Sequence, residues 1–249
     1  MRRTFKSALH SIVDYVFPWE CIFCQTRCRP DDVQSRPVCC SCHDLLVPSL
    51  PSSCPRCGAS VGPHTDTSQG CIHCRGRRLH FDSVTCLSMY DEALRKAVLQ
   101  AKWSWSSSSI SVLAQLMALA RAEQLTRVEA DLVVPIPQAW DRRLMRHYNP
   151  AEVIAHVLGR SLGVRVARNL LRRKRRVSLQ KRVSLQRRFA NQKDSFRVRR
   201  AATAKGKRIL LVDDVLTTGA TCSEASHALK QAGAAACTVA VLGRVLGTR

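Results

Sequence analysis

Residues 213–221 read Asp-Asp-Val-Leu-Thr-Thr-Gly-Ala-Thr and follow directly on the wholly apolar Ile209-Leu210-Leu211-Val212. Two carboxylates come first, then hydroxyls, then a helix. Amide groups at a helix N-terminus lack partners within the helix. Together with the hydroxyls of Thr217, Thr218 and Thr221, and with Gly219 permitting close approach beside Ala220, they can cradle a phosphate dianion. Asp213 and Asp214 would repel that phosphate unless a neutral spacer stood between, and a ribose is such a spacer, since its two hydroxyls can donate to the acids. The nine residues together describe a ribose 5-phosphate site, with Asp213 and Asp214 as the candidate catalytic pair. A strand ending in an acidic turn, with threonines capping the next helix, accounts for either half alone.

Four Cys-x-x-Cys pairs carry a second chemistry: Cys21 with Cys24, Cys39 with Cys42, Cys54 with Cys57, and Cys71 with Cys74. A two-residue gap lets the backbone turn around one ion while both thiolates reach it, and two such knuckles complete a tetrahedral Zn2+ site. Fourteen residues separate the first two pairs and thirteen the last two. The simplest arrangement gives one ion to the first two pairs and one to the last two, about two structural Zn2+ per chain; the spacing also admits interleaved pairing. Cys28, Cys40, His43 and His73 are spare ligands. An iron–sulfur cluster or a redox pair is the rival, disfavoured because no thioredoxin-like strand and helix surround the pairs. A closed four-thiolate site has no open position for chemistry. It contributes folding free energy to a segment with too few large apolar side chains to bury a sufficient core alone.

These residues need elements to hold them. The chain has 249 residues, enough for roughly two folded units at about 100–200 residues each. Ten of the 13 cysteines lie in the first 80 residues, so the expected division is a Cys-rich zinc-binding module over 1–80 and a second domain over 81–249. In the latter, strands are expected over Ser83–Met89, 131–135, 208–212 and 237–242. Helices are expected over 91–102, 110–120, 151–162 and 220–232 from apolar residues at helical spacing. Strands alternating with helices imply an α/β fold with a largely parallel sheet, whose ligands sit at the carboxyl ends of the strands. No apolar stretch approaches the roughly 20 residues of a membrane helix. The opening MRRTFKSALHSIVDYVF is interrupted by His10 and Asp14 and precedes no small-residue cleavage site, so no export signal is expected. A reducing compartment, the cytoplasm, fits cysteines spaced as metal ligands.

LLVDDVLTTGAT resembles the phosphoribosyl pyrophosphate signature of type I phosphoribosyltransferases, and the Cys-rich module ahead of it resembles the ComF/GntX-like branch of that superfamily. Family-like features run in order along nearly the whole chain. They are Tyr90 with Leu94, Arg95 and Lys102; Val133-Val134-Pro135-Ile136-Pro137; Arg142 to Asn149; Gln180, Arg188, Asn191 and Phe196; then the signature. Where the family usually has Arg-Gly-Phe-Asn-Gln, this chain has Arg146-His147-Tyr148-Asn149-Pro150, keeping the Arg and the Asn. The resemblance implies a Rossmann-like, parallel-sheet phosphoribosyltransferase domain. It puts Asp213 and Asp214 on the ribose hydroxyls, residues Thr217 through Thr221 around the 5-phosphate, and Pro135, Ile136 and Pro137 in the loop that receives pyrophosphate. It also implies Mg2+ bridging pyrophosphate and ribose. On their own, Pro135 and Pro137 read equally well as strand terminators. Displacing pyrophosphate from an anomeric carbon builds positive charge on the sugar and negative charge on the leaving group, so cations belong near the latter.

The chain carries 40 Lys and Arg against 18 Asp and Glu, a net charge of +22, and the excess is concentrated. Residues 165–208 hold 18 Lys or Arg and one acid, Asp194. Within them Arg-Val-Ser-Leu-Gln-Lys at 176–181 is echoed by Arg-Val-Ser-Leu-Gln-Arg at 182–187, a local duplication too short to define a repeat fold. Three readings compete. The segment is a hood whose arginines close over pyrophosphate, with Gln180, Arg188 and Asn191 within it and Arg146 and Asn149 ahead of it as candidates; or it binds nucleic-acid backbone, such as single-stranded DNA; or it is a solvated face or flexible loop. Trp103 and Trp105 could offer rings for base stacking, though packing explains them as well.

Three functions are therefore weighed. The first is a ComF-like transferase of phosphoribose to an unidentified acceptor. The second is a nucleic-acid-handling protein that senses phosphoribosyl pyrophosphate, in line with the family's association with DNA uptake and competence. The third is an adaptor whose zinc module docks a helicase-like partner.

Overall fold

Ile209, Leu210, Leu211 and Val212 expose none of their surface, as the central strand of a sheet covered on both faces requires. The computed structural model describes residues 19–28, 37–49, 52–103, 107–138, 148–174 and 195–246. The chain folds as two units, 1–48 and 49–249.

The first unit pairs β1 (Trp19–Glu20) with β2 (Arg27–Cys28) in antiparallel fashion and carries α1 (Cys40–Leu46). Cys39 caps α1, its Sγ accepting from the Cys42 amide at 3.4 Å. The start of the helix thereby holds one Cys-x-x-Cys pair together.

The second unit is built on β3 (Ser83–Met89), α2 (Glu92–Trp103), α3 (Ser108–Ala120), α4 (Ala122–Arg127), β4 (Leu132–Pro135) and α5 (Pro150–Leu162). A ribbon of β5 (Leu171–Arg173) and β6 (Phe196–Val198) follows, then β7 (Arg208–Leu216), α6 (Ala220–Gln231) and β8 (Ala236–Arg244). Four strands form a parallel sheet in the order β3, β8, β7, β4, and a parallel bridge from Val133 to Val166 extends it beyond β4. Successive strand side chains point to opposite faces. Ile209, Leu211, Val239 and Val241 pack with Ala225 and Leu229 of α6, while α3 and α5 cover the other face with Leu113, Met117, Ile154 and Leu158, all fully buried.

Two expectations change. The acids, expected just past the strand end, lie within the strand: β7 runs on through them, with Asp213 opposite Val241, Val215 opposite Gly243 and Leu216 opposite Arg244. The cause is the neighbour: β8 continues to Arg244, whereas β4 stops at Pro135 opposite Val212. The boundary expected at residue 80 also falls inside the second unit, because the third and fourth cysteine pairs pack on β3. The Val84 amide donates to Pro55 O at 3.0 Å and Cys86 Sγ to Gly58 O at 3.7 Å. Among the described residues no helix is long and apolar enough to cross a membrane.

Candidate functional site

β4 ends beside Val212, while β7 runs on to Leu216. Pro135 pairs with Val212 and the amide of Ile136 donates to Val212 O at 2.8 Å. Pro135 is therefore the buried last residue of a strand, and the loop proper begins at Ile136 and Pro137. One residue past Val212 comes Asp213, then Asp214, both half-buried. Each carboxylate supports the backbone that follows it: the Asp214 amide donates to Asp213 Oδ1 at 2.9 Å, and the Val215 amide to Asp214 Oδ1 at 2.8 Å.

Two side chains neighbour the acids: Cys222, which gave no recognisable signal in the sequence, and Tyr90, singled out there only through the family resemblance. Cys222 Sγ lies 3.9 Å from Asp213 Oδ2; burial first, then the charges of Asp213 and Asp214, push its thiol well above the ordinary value, so it stays a neutral donor. Tyr90, which packs on Gly243, is raised by burial and by the charge of Asp214, with Arg95 opposing.

α6 starts at Gly219, whose φ of +80° suits glycine. A Cβ there would sit 3.4 Å from Phe81 Cζ. No side chain caps the helix at this position; Thr218 Oγ1 instead accepts from the Ala220 amide at 3.3 Å. Thr217 is exposed, Thr218 and Thr221 are half-buried, and Ala220 is buried. A helix start whose cap residue has no side chain, flanked by three hydroxyls of which Thr218 already takes the Ala220 amide, can receive a phosphate on its remaining amides.

Of the hood candidates, Asn149 is described and Arg146, Gln180, Arg188 and Asn191 lie outside the described residues, as do Trp105 and both hexamers. Asn149 caps α5, accepting from the Ala151 amide at 3.1 Å and donating through Nδ2 to Ile136 O at 3.0 Å. It thus pins the loop after β4. The described part of the basic segment includes the β5–β6 ribbon, with Arg172 opposite Arg197. Arg173 lies 5.4 Å above the Phe196 ring, and buried Leu171 and Phe196 root the ribbon in the core.

The eight cysteines assemble as Cys21, Cys24, Cys39 and Cys42 in the first unit and Cys54, Cys57, Cys71 and Cys74 in the second. The pairing is sequential. Sulfurs 2.3 Å from one tetrahedral ion stand about 3.8 Å apart. The separations here are 3.6 Å for Cys24 to Cys39, 3.5 Å for Cys57 to Cys71, 3.8 Å for Cys54 to Cys74 and 3.9 Å for Cys71 to Cys74. Both groups can hold Zn2+. Hydrogen bonds from the side chain and backbone of Thr26 bring the Cys24 thiol down to about 6, toward the thiolate a metal requires. Of the spare ligands, Cys28 bonds Thr26 O at 3.4 Å and His43 faces Asp44 at 3.2 Å.

The phosphoribosyl transferase domain family matches residues 149–246, from the cap of α5 to just past β8. Competence protein F of Haemophilus influenzae is 28% identical over 226 residues, 87% of this chain and 93% of that protein. DNA utilization protein YhgH of Escherichia coli K12 is 30% identical over 197 residues, 78% of this chain and 84% of that protein. The chain belongs to the ComF family. Both ComF-family relatives are matched well beyond the 98-residue domain segment. The likeness therefore reaches past α5–β8 into the more N-terminal part of the chain.

Proposed function

We propose that this ComF-family chain binds phosphoribosyl pyrophosphate with Mg2+ at the carboxyl edge of β4 and β7, transfers the phosphoribosyl group to an acceptor nucleophile and releases pyrophosphate. The supporting observation is the register that seats Pro135 beside Val212. The loop after β4 therefore begins level with the carboxylates of β7, which stay in the strand beside β8, and the start of α6 follows beyond them.

In this reading Asp213 and Asp214 accept hydrogen bonds from the ribose 2- and 3-hydroxyls. The start of α6 and the hydroxyls of Thr217, Thr218 and Thr221 hold the 5-phosphate, and residues 135–137 receive the pyrophosphate. As the bond from the anomeric carbon to pyrophosphate breaks, positive charge spreads over the ring, and half-buried carboxylates beside it favour that state. Mg2+ takes oxygen ligands, commonly one or two carboxylates with substrate phosphates. Asp213 and Asp214 with the pyrophosphate offer such a set, and the ion would neutralise charge on the leaving group. Arginines of the basic segment would shield the pyrophosphate from water. A cytoplasmic location, where the activated sugar and reduced zinc-ligating thiols coexist, fits this chemistry.

Calorimetric titration with phosphoribosyl pyrophosphate, with and without Mg2+, tests the site. Binding should need Mg2+ and fall by at least about tenfold in Asp213→Asn/Asp214→Asn, as loss of charge-assisted hydrogen bonds implies; unchanged binding in the double variant removes the assignment. Pyrophosphate release with candidate acceptors tests turnover. A second reading is favoured by the names of the relatives, which concern competence and DNA utilization, and by the paired arginines of the β5–β6 ribbon. There the fold senses phosphoribosyl pyrophosphate while the basic segment handles single-stranded DNA or a helicase-like protein docks on the chain. Ligand binding without turnover, joined to DNA affinity that falls steeply with salt, would select it.

A further inference from the structure

Arg244 is the one charged residue buried among those described, with 4% of its surface exposed. Its Nε donates to Cys57 O at 2.8 Å. Its Nη1 donates to Leu216 O at 3.2 Å, to Thr217 O at 2.6 Å and to Val245 O. These partners are all carbonyls. Burying a guanidinium on neutral acceptors is costly unless its planar fork of donors is well used. Here the fork spans two places of chemical interest. Cys57 is a ligand of the second cysteine group, and Leu216 and Thr217 form the backbone that turns into the phosphate cradle.

A second tie runs parallel to the first. The chain leaving Cys74 for β3 grips the first turn of α6: the His80 amide donates to Ser223 Oγ at 3.0 Å, and Ser223 Oγ donates to Arg78 O at 3.5 Å. Phe81 and Leu79 lie against Gly219. The cysteine knuckle and the cradle are thus joined at both the loop and the helix.

We infer that Arg244 is a positioning residue that couples the second four-cysteine site to the phosphate cradle. The inference rests on the reading of residues 217–221 as that cradle. An ion held by Cys54, Cys57, Cys71 and Cys74 fixes the Cys57 carbonyl. That carbonyl orients the guanidinium, and the guanidinium sets the Leu216–Thr217 backbone. Coupling between two binding sites is reciprocal, so a phosphate ligand in the cradle must also retain the ion. Lysine cannot substitute, because a single ammonium does not span carbonyls on both sides of the fork.

The experiment uses the full chain loaded with Zn2+, an excess of a colorimetric chelator, and ribose 5-phosphate as probe. The release phase of the second site is assigned by its persistence in Cys21→Ser/Cys24→Ser. In wild type, saturating ribose 5-phosphate should slow that phase about fivefold or more, within the usual span of coupling, and leave the other phase unchanged. In Arg244→Lys both ions should still bind, but the ligand should no longer slow release. Calorimetry separates the two ways to fail. If ribose 5-phosphate binds wild type yet leaves both phases unchanged, the coupling is wrong and the cradle stands. If it does not bind, the cradle reading falls and the inference with it. Should Arg244→Lys release metal faster but keep the wild-type response to ligand, Arg244 is merely structural and the inference is overturned.

Discussion

Ile136 donates its amide to the carbonyl of Val212 at 2.8 Å, so the loop leaving β4 is held in register with the residue that precedes Asp213. Asn149 holds the same loop from the other side, its Nδ2 donating to Ile136 O at 3.0 Å while its Oδ1 caps α5. The two roles separate by substitution. Asn149→Ala removes both and should lower stability by about 1 kcal/mol, the usual worth of an N-cap. Asn149→Asp keeps an acceptor at a helix N-terminus, where negative charge is welcome, and should melt closer to wild type. Both variants lose the donor to Ile136 and should weaken phosphoribosyl pyrophosphate binding severalfold, as a lost hydrogen bond implies. Equal melting losses in the two would deny the division of roles; calorimetry and thermal melts read both quantities.

What the sequence made legible was local. The apolar run before Asp213, the helical spacing of 151–162 and the Cys-x-x-Cys gaps each follow from neighbours a few residues apart, and the structure has those elements. What it hid depends on partners far along the chain. β7 extends through its acids because β8, whose residues stand 28 positions further on (Asp213 opposite Val241), is there to pair with it. The second cysteine group joins the sheet unit because Gly58 meets Val84. Arg244, an ordinary arginine at a strand end in sequence, gains its position from carbonyls 187 and 28 residues away.

Gly58 and Gln25 occupy the same place in their knuckles, directly after the second cysteine, with φ of +68° and +61°. At Gly58 a Cβ would lie 2.8 Å from Val84 Cγ1. Gly58→Ala should therefore combine left-handed strain of about 1–2 kcal/mol with overpacking of about 1–3 kcal/mol. Gln25→Gly relieves the same kind of strain and should not destabilise the first unit. Denaturant unfolding of the two variants compares them; an Ala at 58 with wild-type stability would mean that β3 and the knuckle yield to each other.

His80 lies against His227, ring centroids 4.3 Å apart. Burial, then the charges of His227 and Arg78, lower its value below the ordinary 6.5. The unfolded chain therefore takes up this proton at higher pH than the folded one does. The associated stability is intact above about 6.5 and is lost as pH falls through that value and below. His80→Gln should lose less stability than wild type between pH 7.5 and 5.5. Parallel curves of melting temperature against pH for the two proteins would show that His80 does not contribute to acid sensitivity.

The two cysteine groups belong to separate units, so their ions should act separately. Anaerobically purified protein should contain about two Zn2+ per chain, one for each four-thiolate set. Cys21→Ser/Cys24→Ser should lose one ion and leave the main melting transition, that of the sheet, nearly unmoved. Cys54→Ser/Cys57→Ser should also lose one ion but lower that transition, since metal binding free energy is folding free energy where the knuckle is packed into the core. All four sulfurs of the second group are buried and share a cluster with Ala59, against which Leu79 packs, and Leu79 packs equally on the core beneath α6. Loss of the second ion therefore opens a path into the sheet, and loss of the first does not. Metal analysis paired with calorimetric melts decides it: equal shifts of the main transition in the two double variants would refute the separation.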